Sequence, residues 1–388
     1  MRVAPRADTG VVVVATKTWR RRVAAALLSL PLLANAAILP EDRSDALYHS
    51  YDGGGLTVTG PSILVRKGDA KRFSVNANYY ADSITSASID VVTQGSEYNE
   101  SRDQYSIGVD YLNANTIMSL GYSNSEESDY KSDTYSITMS QTMFGNMTTV
   151  TIGYSRGMDD IFRNGDPLFA KTADHQNYHI SLTQVLTKDL LLSINFDTIT
   201  DEGFLNNPYR SFAYEEAATP GVILYASEEY PDTRTSNAIS ANFLYYLPYR
   251  ATIKAGYRFY ADDWDITAHT VSLSYVHPFR DRWIFETGYR YYTQSSADFY
   301  SDLFSGPDTQ NFKARDKELS DFFDHSISLG VSYEIPGSKR GFIDRATLNL
   351  KYTYIMFEYD NFSDLRDPSR PSYDFTADVI AAFASIWY

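Results

Sequence analysis

The stretch ATLNLKYTYIM, residues 346–356, alternates apolar and polar side chains with a period of two. Successive side chains of a β-strand point to opposite faces, so this alternation predicts a strand with one apolar and one polar face. Aliphatic residues fill the middle of the apolar face and aromatic residues gather towards its end. This profile is typical of a strand that crosses a bilayer with its apolar side outward and its polar side inward.

The same alternation recurs along the chain and predicts about 14 strands, with a range of about 12 to 16 because residues 56–66 and 87–93 could add short ones. The predicted strands lie near residues 73–81, 103–112, 115–123, 133–142, 147–156, 178–186, 189–200, 235–247, 250–261, 266–276, 282–293, 324–334, 343–357 and 374–388. Their connections alternate between short turns and long loops, as in outer-membrane barrels. Since lipid cannot satisfy an open sheet edge, the predicted fold is all-β: a closed, transmembrane, antiparallel up-and-down β-barrel.

The N-terminal region carries a secretion signal. Arg20, Arg21 and Arg22 precede the apolar run 23–33, and Ala34-Asn35-Ala36 fits the cleavage rule. We therefore predict a signal peptide over residues 1–36, a periplasmic segment over 37–72 that could plug the barrel, and the barrel itself over 73–388. The predicted location is the bacterial outer membrane, reached through the periplasm.

The chain stops on VIAAFASIWY, residues 379–388, which predicts the last crossing strand. Ile386, Trp387 and Tyr388 resemble the C-terminal insertion signal that the barrel-assembly machinery recognises. Both alternating sets of this strand are apolar, so periodicity leaves its orientation open. We expect the set containing Tyr388 to face lipid, because this choice leaves Ser385 inward.

Composition supports the membrane prediction and narrows the partners. Tyrosine supplies 32 of 388 residues, and its ring favours the two edges of a bilayer. The expected surroundings are therefore the lipid bilayer and lipopolysaccharide. The net charge of −15 argues against nucleic acid as a partner, and the absence of cysteine excludes thiol chemistry.

Two groups of residues are candidates for function. The first group consists of charged residues on the polar face of strands whose alternation is clear. Their side chains would line the lumen, where they would either select ions or form ion pairs with each other. The residues are Lys254, Arg258, Glu286, Arg290 and Lys351. The second group lies in two aromatic-rich loops, which would either fold as a cap or bind an external ligand: Asn206, Asn207, Tyr209, Arg210, Asp298, Tyr300 and Asp302.

No catalytic motif, cofactor motif or metal motif stands out. Asp174, His175 and His179 could offer metal ligands, as could the acidic residues of 159–166, but neither group has the spacing of a known metal site. The Gly53–Gly55 run lacks the rest of a phosphate-binding loop, and we expect it to be a sharp turn near the periplasmic mouth. The sequence therefore predicts no metal, no cofactor and no enzymatic activity.

Several stretches resemble a family of bacterial outer-membrane barrels known as domain of unknown function 3570. They are LPEDRSDALYHSYDGGG (residues 39–55), YYADSITSASIDVV (79–92), SLGYSNSEESDY (119–130), TDEGFLNNPYR (200–210), ADFYSDLF (297–304) and the closing SIWY. The resemblance implies a single barrel in a Gram-negative outer membrane and implies no reaction. Association of the family with flavin-transferase-like and thioredoxin-like proteins implies periplasmic redox or lipoprotein partners.

The predicted function is a channel or transporter for a small solute or metal-related ligand. Two alternatives stay open at this point. One is a transporter of hydrophobic ligands whose N-terminal segment forms a hatch. The other is a structural partner of a periplasmic redox or flavin-protein system that transports nothing.

Overall fold

The computed structural model describes residues 37–69, 71–86, 98–216, 218–219, 221–337 and 341–388. The predicted signal peptide, residues 1–36, lies outside the described residues, and so does the possible strand 87–93. In the described part of the chain, no helix has both the length and the apolar character needed to span a membrane.

The described residues form eighteen strands and one 3₁₀ turn, Lys317–Leu319. The strands are β1 (Arg43–Gly53), β2 (Leu56–Gly68), β3 (Phe73–Ser86), β4 (Tyr98–Asn113), β5 (Thr116–Glu126), β6 (Tyr130–Met143), β7 (Thr148–Phe162), β8 (Ala170–Thr187), β9 (Leu190–Gly203), β10 (Ser211–Glu215), β11 (Ile223–Ser227), β12 (Thr233–Tyr246), β13 (Thr252–Asp262), β14 (Thr267–Phe279), β15 (Trp283–Gln294), β16 (Phe322–Pro336), β17 (Arg345–Ser363) and β18 (Ser372–Trp387).

Sixteen of these strands close into one barrel in which neighbouring strands are antiparallel. Strands adjacent in sequence pair with each other, except that β9 pairs with β12 because β10 and β11 form a separate small sheet between them. The barrel closes where β1 pairs with β18, from Arg43 opposite Trp387 to Gly53 opposite Ala377. Closure pairs the backbone groups that an open edge would expose to lipid. The predicted fold is confirmed, all fourteen predicted strands are present, and the count is sixteen.

The prediction that residues 37–72 form a periplasmic segment or plug is wrong for residues 43–68. These residues are β1 and β2, which belong to the barrel wall and pair along eleven positions. The glycine run follows β1 and lies at the barrel end opposite to the one where the described chain starts. Gly54 and Gly55, with φ of 59° and 75°, form the two-residue turn between β1 and β2, a conformation that suits glycine.

The barrel has two unlike ends. The described chain starts and finishes at one of them, which we call the turn end and which carries short connections such as residues 114–115 and 188–189. The opposite end, the loop end, carries the long connections 204–232 and 295–321. Strands extend further towards the loop end than predicted: β7 and β8 leave only residues 163–169 between them. Outside the bilayer both strand faces can be polar, so no apolar rhythm marks these extensions.

Exposed apolar residues identify the outer face of each strand. On β17, Leu348 and Leu350 are 53% and 50% exposed. On β18, Ile380 and Ile386 are exposed, whereas Ser385 is only 6% exposed and lies on the inner face. The expected orientation of the last strand is therefore confirmed.

The buried apolar cores lie at the loop end. One core joins the two long loops to the β13–β14 turn, and its buried members are Tyr230, Trp264, Ile266, Ala297, Phe299, Ala314 and Leu319. A second core surrounds Tyr359 and Phe362 at the top of β17. The two loops also bridge each other directly, with Glu229 opposite Lys313. We call the described residues of 204–232 and 295–321 the cap.

Candidate functional site

The charged residues predicted to line the lumen all lie on the inner face of their strands. They alternate with exposed outer residues such as Tyr257, Tyr289 and Leu350. Two of them pair with each other: Lys254 Nζ on β13 lies 3.4 Å from Glu286 Oε1 on β15, with β14 between the two strands. A Cβ atom at Gly288 would lie 2.7 Å from Ser328 Oγ and 3.0 Å from Ser274 Oγ, so the small inner residues of this wall pack closely.

The other three predicted lumen residues differ in their partners. Arg290 Nη2 lies 2.9 Å from Oδ1 of the buried Asp324. The guanidinium of Arg258 lies over the Tyr260 ring, 5.5 Å from its centre. Lys351 is half-buried beside Gly330 and forms no ion pair with the described residues. The lumen wall therefore carries both neutralised and uncompensated cations, and a role of these residues in selectivity stays a prediction.

Sequence reasoning missed a charge cluster on the wall formed by β1, β3 and β4. Asp82 is 5% exposed, and its two carboxylate oxygens accept from His49 Nε2 at 2.8 Å and from Arg102 Nη2 at 2.7 Å. The imidazole of His49 stacks on the ring of Tyr80 with 5.1 Å between ring centres. The cluster depends on β1 being in the wall, which the alternation of that segment did not show.

The nitrogen atoms of His175 on β8 contact aspartates other than Asp174. His175 lies between two aspartates of neighbouring strands, with Nε2 2.9 Å from Asp159 and Nδ1 2.6 Å from Asp201. Asp174 instead accepts from the exposed Arg156. The two histidine nitrogens are thus used to tie β7, β8 and β9 together.

The predicted binding residues of the first long loop hold that loop together. Asn206 Nδ2 donates to the carbonyl of Glu228 at 2.6 Å, and its Oδ1 accepts from the backbone N–H of Tyr230 at 3.2 Å. Asn207 Oδ1 accepts from the N–H of Tyr209 at 2.9 Å, as in a local turn.

Tyr209 connects the cap to two other connections at the loop end. Its hydroxyl donates to the carboxylate of Asp129 in the β5–β6 turn and accepts from the backbone N–H of Asn164 in the β7–β8 loop at 2.7 Å. Burial and the Asp129 carboxylate raise the pKa of Tyr209 above its ordinary value. This residue therefore anchors the cap on the side of the mouth opposite the second long loop.

The remaining predicted loop residues join the two long loops to each other and to β17. Arg210 forms an ion pair with Asp316. Asp302 lies 2.9 Å from Arg315, and the Tyr300 hydroxyl donates to a β17 backbone carbonyl at 3.0 Å. The backbone N–H of Asp298 donates to the β13–β14 turn. The seven predicted residues thus build the cap, and binding of an external ligand by them stays a prediction.

A cluster of three carboxylates beside Tyr209 was also missed from the sequence. Oxygen atoms of Glu100, Glu127 and Asp129 lie within 4.8 Å of one another. The pKa of Glu127 is raised to about 7, first by burial and then by the charges of Glu100 and Asp129, against the opposing effect of Arg102. Glu100 and Asp129 are 29 residues apart in the chain, so only the pairing of β4 with β5, and of β5 with β6, brings them together.

Comparison with known proteins gives one family match. The family described as "Protein of unknown function (DUF3570)" matches residues 90–344, more than half of the chain. None of the curated proteins matches the sequence significantly.

Among solved structures, the chain is similar to barrels of the outer membrane. The siderophore receptor PirA from Pseudomonas aeruginosa has 10% identity and a TM-score of 0.46, covering 90% of this chain and 62% of the receptor. A loop-deletion mutant of OmpT from Vibrio cholerae has 12% identity and a TM-score of 0.43, covering 90% and 99%. A bacterial polysaccharide outer membrane secretin has 6% identity and a TM-score of 0.49, with the same coverage. The chain thus spans less than two thirds of PirA, and no role is transferred from these proteins.

Proposed function

The chain belongs to the family of unknown function DUF3570, and from its geometry we propose that this outer-membrane β-barrel is a channel or transporter for a small solute. The observation that carries the proposal is the closed barrel of sixteen strands. Barrel diameter grows with strand number, and barrels of about 16 to 18 strands enclose an aqueous channel, whereas about 8 strands leave a lumen that side chains fill.

The inner wall of β5, β6 and β7 supports an open lumen because its side chains are short. Ser119 and Gly121 on β5 lie opposite Thr138 and Ser136 on β6, respectively, and Gly153 on β7 lies opposite Thr138. Such residues project only a few ångströms into the lumen and offer hydroxyl groups to water or to a polar solute. They leave the lumen beside these three strands to solvent.

The cap is the feature that would regulate passage. It spans the loop end from Asp129 and Asn164 on one side to the top of β17 on the other. We place this end outside the cell and the turn end in the periplasm, as is general for bacterial barrels. A solute would therefore pass the cap first and the charged wall second.

The fixed charges support a preference for anions. Lys351 forms no ion pair with the described residues, and Arg258 is held by an aromatic ring in place of a carboxylate. Charged groups that face a pore raise the local concentration of the opposite ion. The proposed solute is accordingly small and anionic or polar.

Conductance across planar bilayers tests the proposal. Purified, refolded barrel should give discrete current steps in KCl, with anions preferred over cations. Lys351→Gln should reduce this preference, whereas the control Lys188→Gln in an exposed turn should not. A folded barrel that remains silent, including after removal of the cap loops, would reject the channel.

The structure affects the two alternative functions in different ways. The hatch version loses its basis because the proposed hatch forms two wall strands. A structural role beside periplasmic redox proteins remains a second candidate without a supporting contact. We also propose that the barrel catalyses no reaction, that it is folded by the barrel-assembly machinery and that its mature form starts after residue 36.

A further inference from the structure

The inner face of β18 is apolar along most of its length. Its inward residues are Tyr373, Phe375, Ala377, Val379, Ala381 and Phe383. At about 3.4 Å per residue these positions extend over roughly 34 Å, a distance comparable to the thickness of the membrane. None of the other fifteen described barrel strands carries such an inward run. The inner face of its neighbour β17 has Thr347, Asn349, Lys351 and Thr353 at the same depth.

We call this run the apolar stripe. Its upper part packs into the loop-end core, where Ala377 is fully buried, and its lower part, Val379 to Phe383, borders the lumen. Val379, Ala381 and Phe383 all retain partial exposure, and Phe383 has no aromatic partner among the described residues. Leu47 of β1 lies opposite Phe383 in the register and widens the stripe. Apolar surface left in water is unfavourable by about 25 cal/mol per Å², so a solute that covers it is favoured.

The stripe is continuous with the aromatic core at the loop end. The rings of Phe375 and Phe357 stack with 4.5 Å between their centres, and Tyr359 and Phe362 follow next to them. An apolar path therefore starts just below the cap and descends along β18 towards the turn end. The polar wall of β5 to β7 lies on another side of the same lumen.

Within the part of the chain that the structure describes, one charge without an ion partner borders the stripe. Lys351 lies directly opposite Ala381 in the β17–β18 register, so their Cβ atoms are about 5 Å apart. On the other edge His49 lies opposite Ala381, but its imidazole is committed to Asp82. The free ammonium group of Lys351 is thus positioned to meet an anionic group on a molecule whose apolar part covers the stripe.

We propose that the apolar stripe and Lys351 form a path for small amphipathic anions, such as molecules with an aromatic ring and an acidic group. The ring of the solute moves along Val379, Ala381 and Phe383. The acidic group passes Lys351, and the side of the solute away from the wall faces water. This inference rests on the proposed channel function and specifies the class of solute.

Reversal potentials in planar bilayers test the path with two sulfonates that stay charged at every working pH. The probes are sodium benzenesulfonate and sodium methanesulfonate, with KCl conductance measured on the same channels. We expect the permeability of the wild-type barrel for benzenesulfonate to be about fivefold its permeability for methanesulfonate, because part of one ring leaves water when it covers the stripe. The doubly substituted Val379→Ser, Phe383→Ser variant should lose this preference, and Phe383→Leu should keep it.

Lys351→Gln should lower the permeability of both sulfonates, and Ser332→Ala on the inner face of β16 serves as the matched control. A barrel that conducts KCl but prefers methanesulfonate by size, with no effect of the stripe substitutions, would overturn the path and leave the channel intact. The stripe would then serve strand recognition during assembly. A barrel that conducts nothing would overturn both proposals.

Discussion

The hydroxyl oxygens of Ser44 and Tyr388 lie 3.1 Å apart, so the last residue of the chain is tied to the first strand of the barrel. The Tyr388 ring also stacks on Phe342 with 5.0 Å between ring centres, and the ammonium group of Lys67 lies 5.0 Å from its centre. The C-terminal aromatic residue thus sits at the seam where the barrel closes.

Replacing Tyr388 by Asp, or deleting it, should impair insertion because a charge would replace the ring at the membrane edge of the seam. We expect at least a severalfold loss of the heat-modifiable barrel in the outer-membrane fraction. Tyr388→Phe keeps the ring contacts and should reach nearly normal levels. Normal amounts of folded Tyr388→Asp barrel would show that the ring is dispensable.

Asp82→Ala should destabilise the barrel strongly. The substitution leaves His49 and Arg102 without the buried carboxylate that both of them contact, and breaking a buried pair costs about 3 kcal/mol or more. The midpoint of urea unfolding, followed by gel mobility, should fall. The control is Asp160→Ala, which removes an exposed aspartate on the outer side of β7. Equal midpoints for the two variants would contradict a structural role of the cluster.

Tyr209→Phe should loosen the cap on one side. The variant keeps the ring but loses the hydroxyl that joins Asp129 and Asn164, a net loss of about 1 to 2 kcal/mol. Faster hydrogen exchange is expected in residues 204–212 and 163–166, together with larger conductance if the cap limits passage. Tyr225→Phe, in an exposed part of the same loop, is the matched control. Unchanged exchange would show that other contacts suffice.

The carboxylate cluster makes the anchor of the cap dependent on pH. The pKa of Glu127 is raised from 4.5 to about 7, which means that the folded state binds the proton more tightly than the unfolded chain. The stability that protonated Glu127 contributes to the fold is therefore fully present below about pH 4.5 and is lost as pH rises through 7.

Glu127→Gln should accordingly stabilise the cap at pH 8, by about 1 to 2 kcal/mol, and have little effect at pH 4. Hydrogen exchange of the β5–β6 turn and the adjoining cap, corrected for the intrinsic effect of pH, measures the change. Asp308→Asn, an exposed acid of the cap, should be neutral at both values. Stabilisation of equal size at pH 4 and pH 8 would contradict the raised pKa.

Much of the barrel could be predicted because the bilayer imposes a pattern on the chain. Within the membrane the outer face must be apolar and the inner face polar, and β13, β15 and β17 follow this rule closely enough to identify both their path and their inward charges. β1 could not be identified in this way, since its outer positions include Ser44 and Ser50 and give no apolar rhythm. Its place in the wall is fixed by pairing with β18 and β2.

The alternation of residues along the sequence by itself determined the all-β class and most of the strands. It also determined the inward position of Lys254, Glu286 and Lys351, because successive side chains of a strand point to opposite faces. Which of these charges is neutralised depends on the register between strands, and so does the orientation of β18, whose two faces are both apolar. The contact of Tyr209 with Asp129 joins residues 80 positions apart. Such contacts arise only when the closed barrel brings its loops to one end, so the tertiary structure alone decided the cap and the apolar stripe.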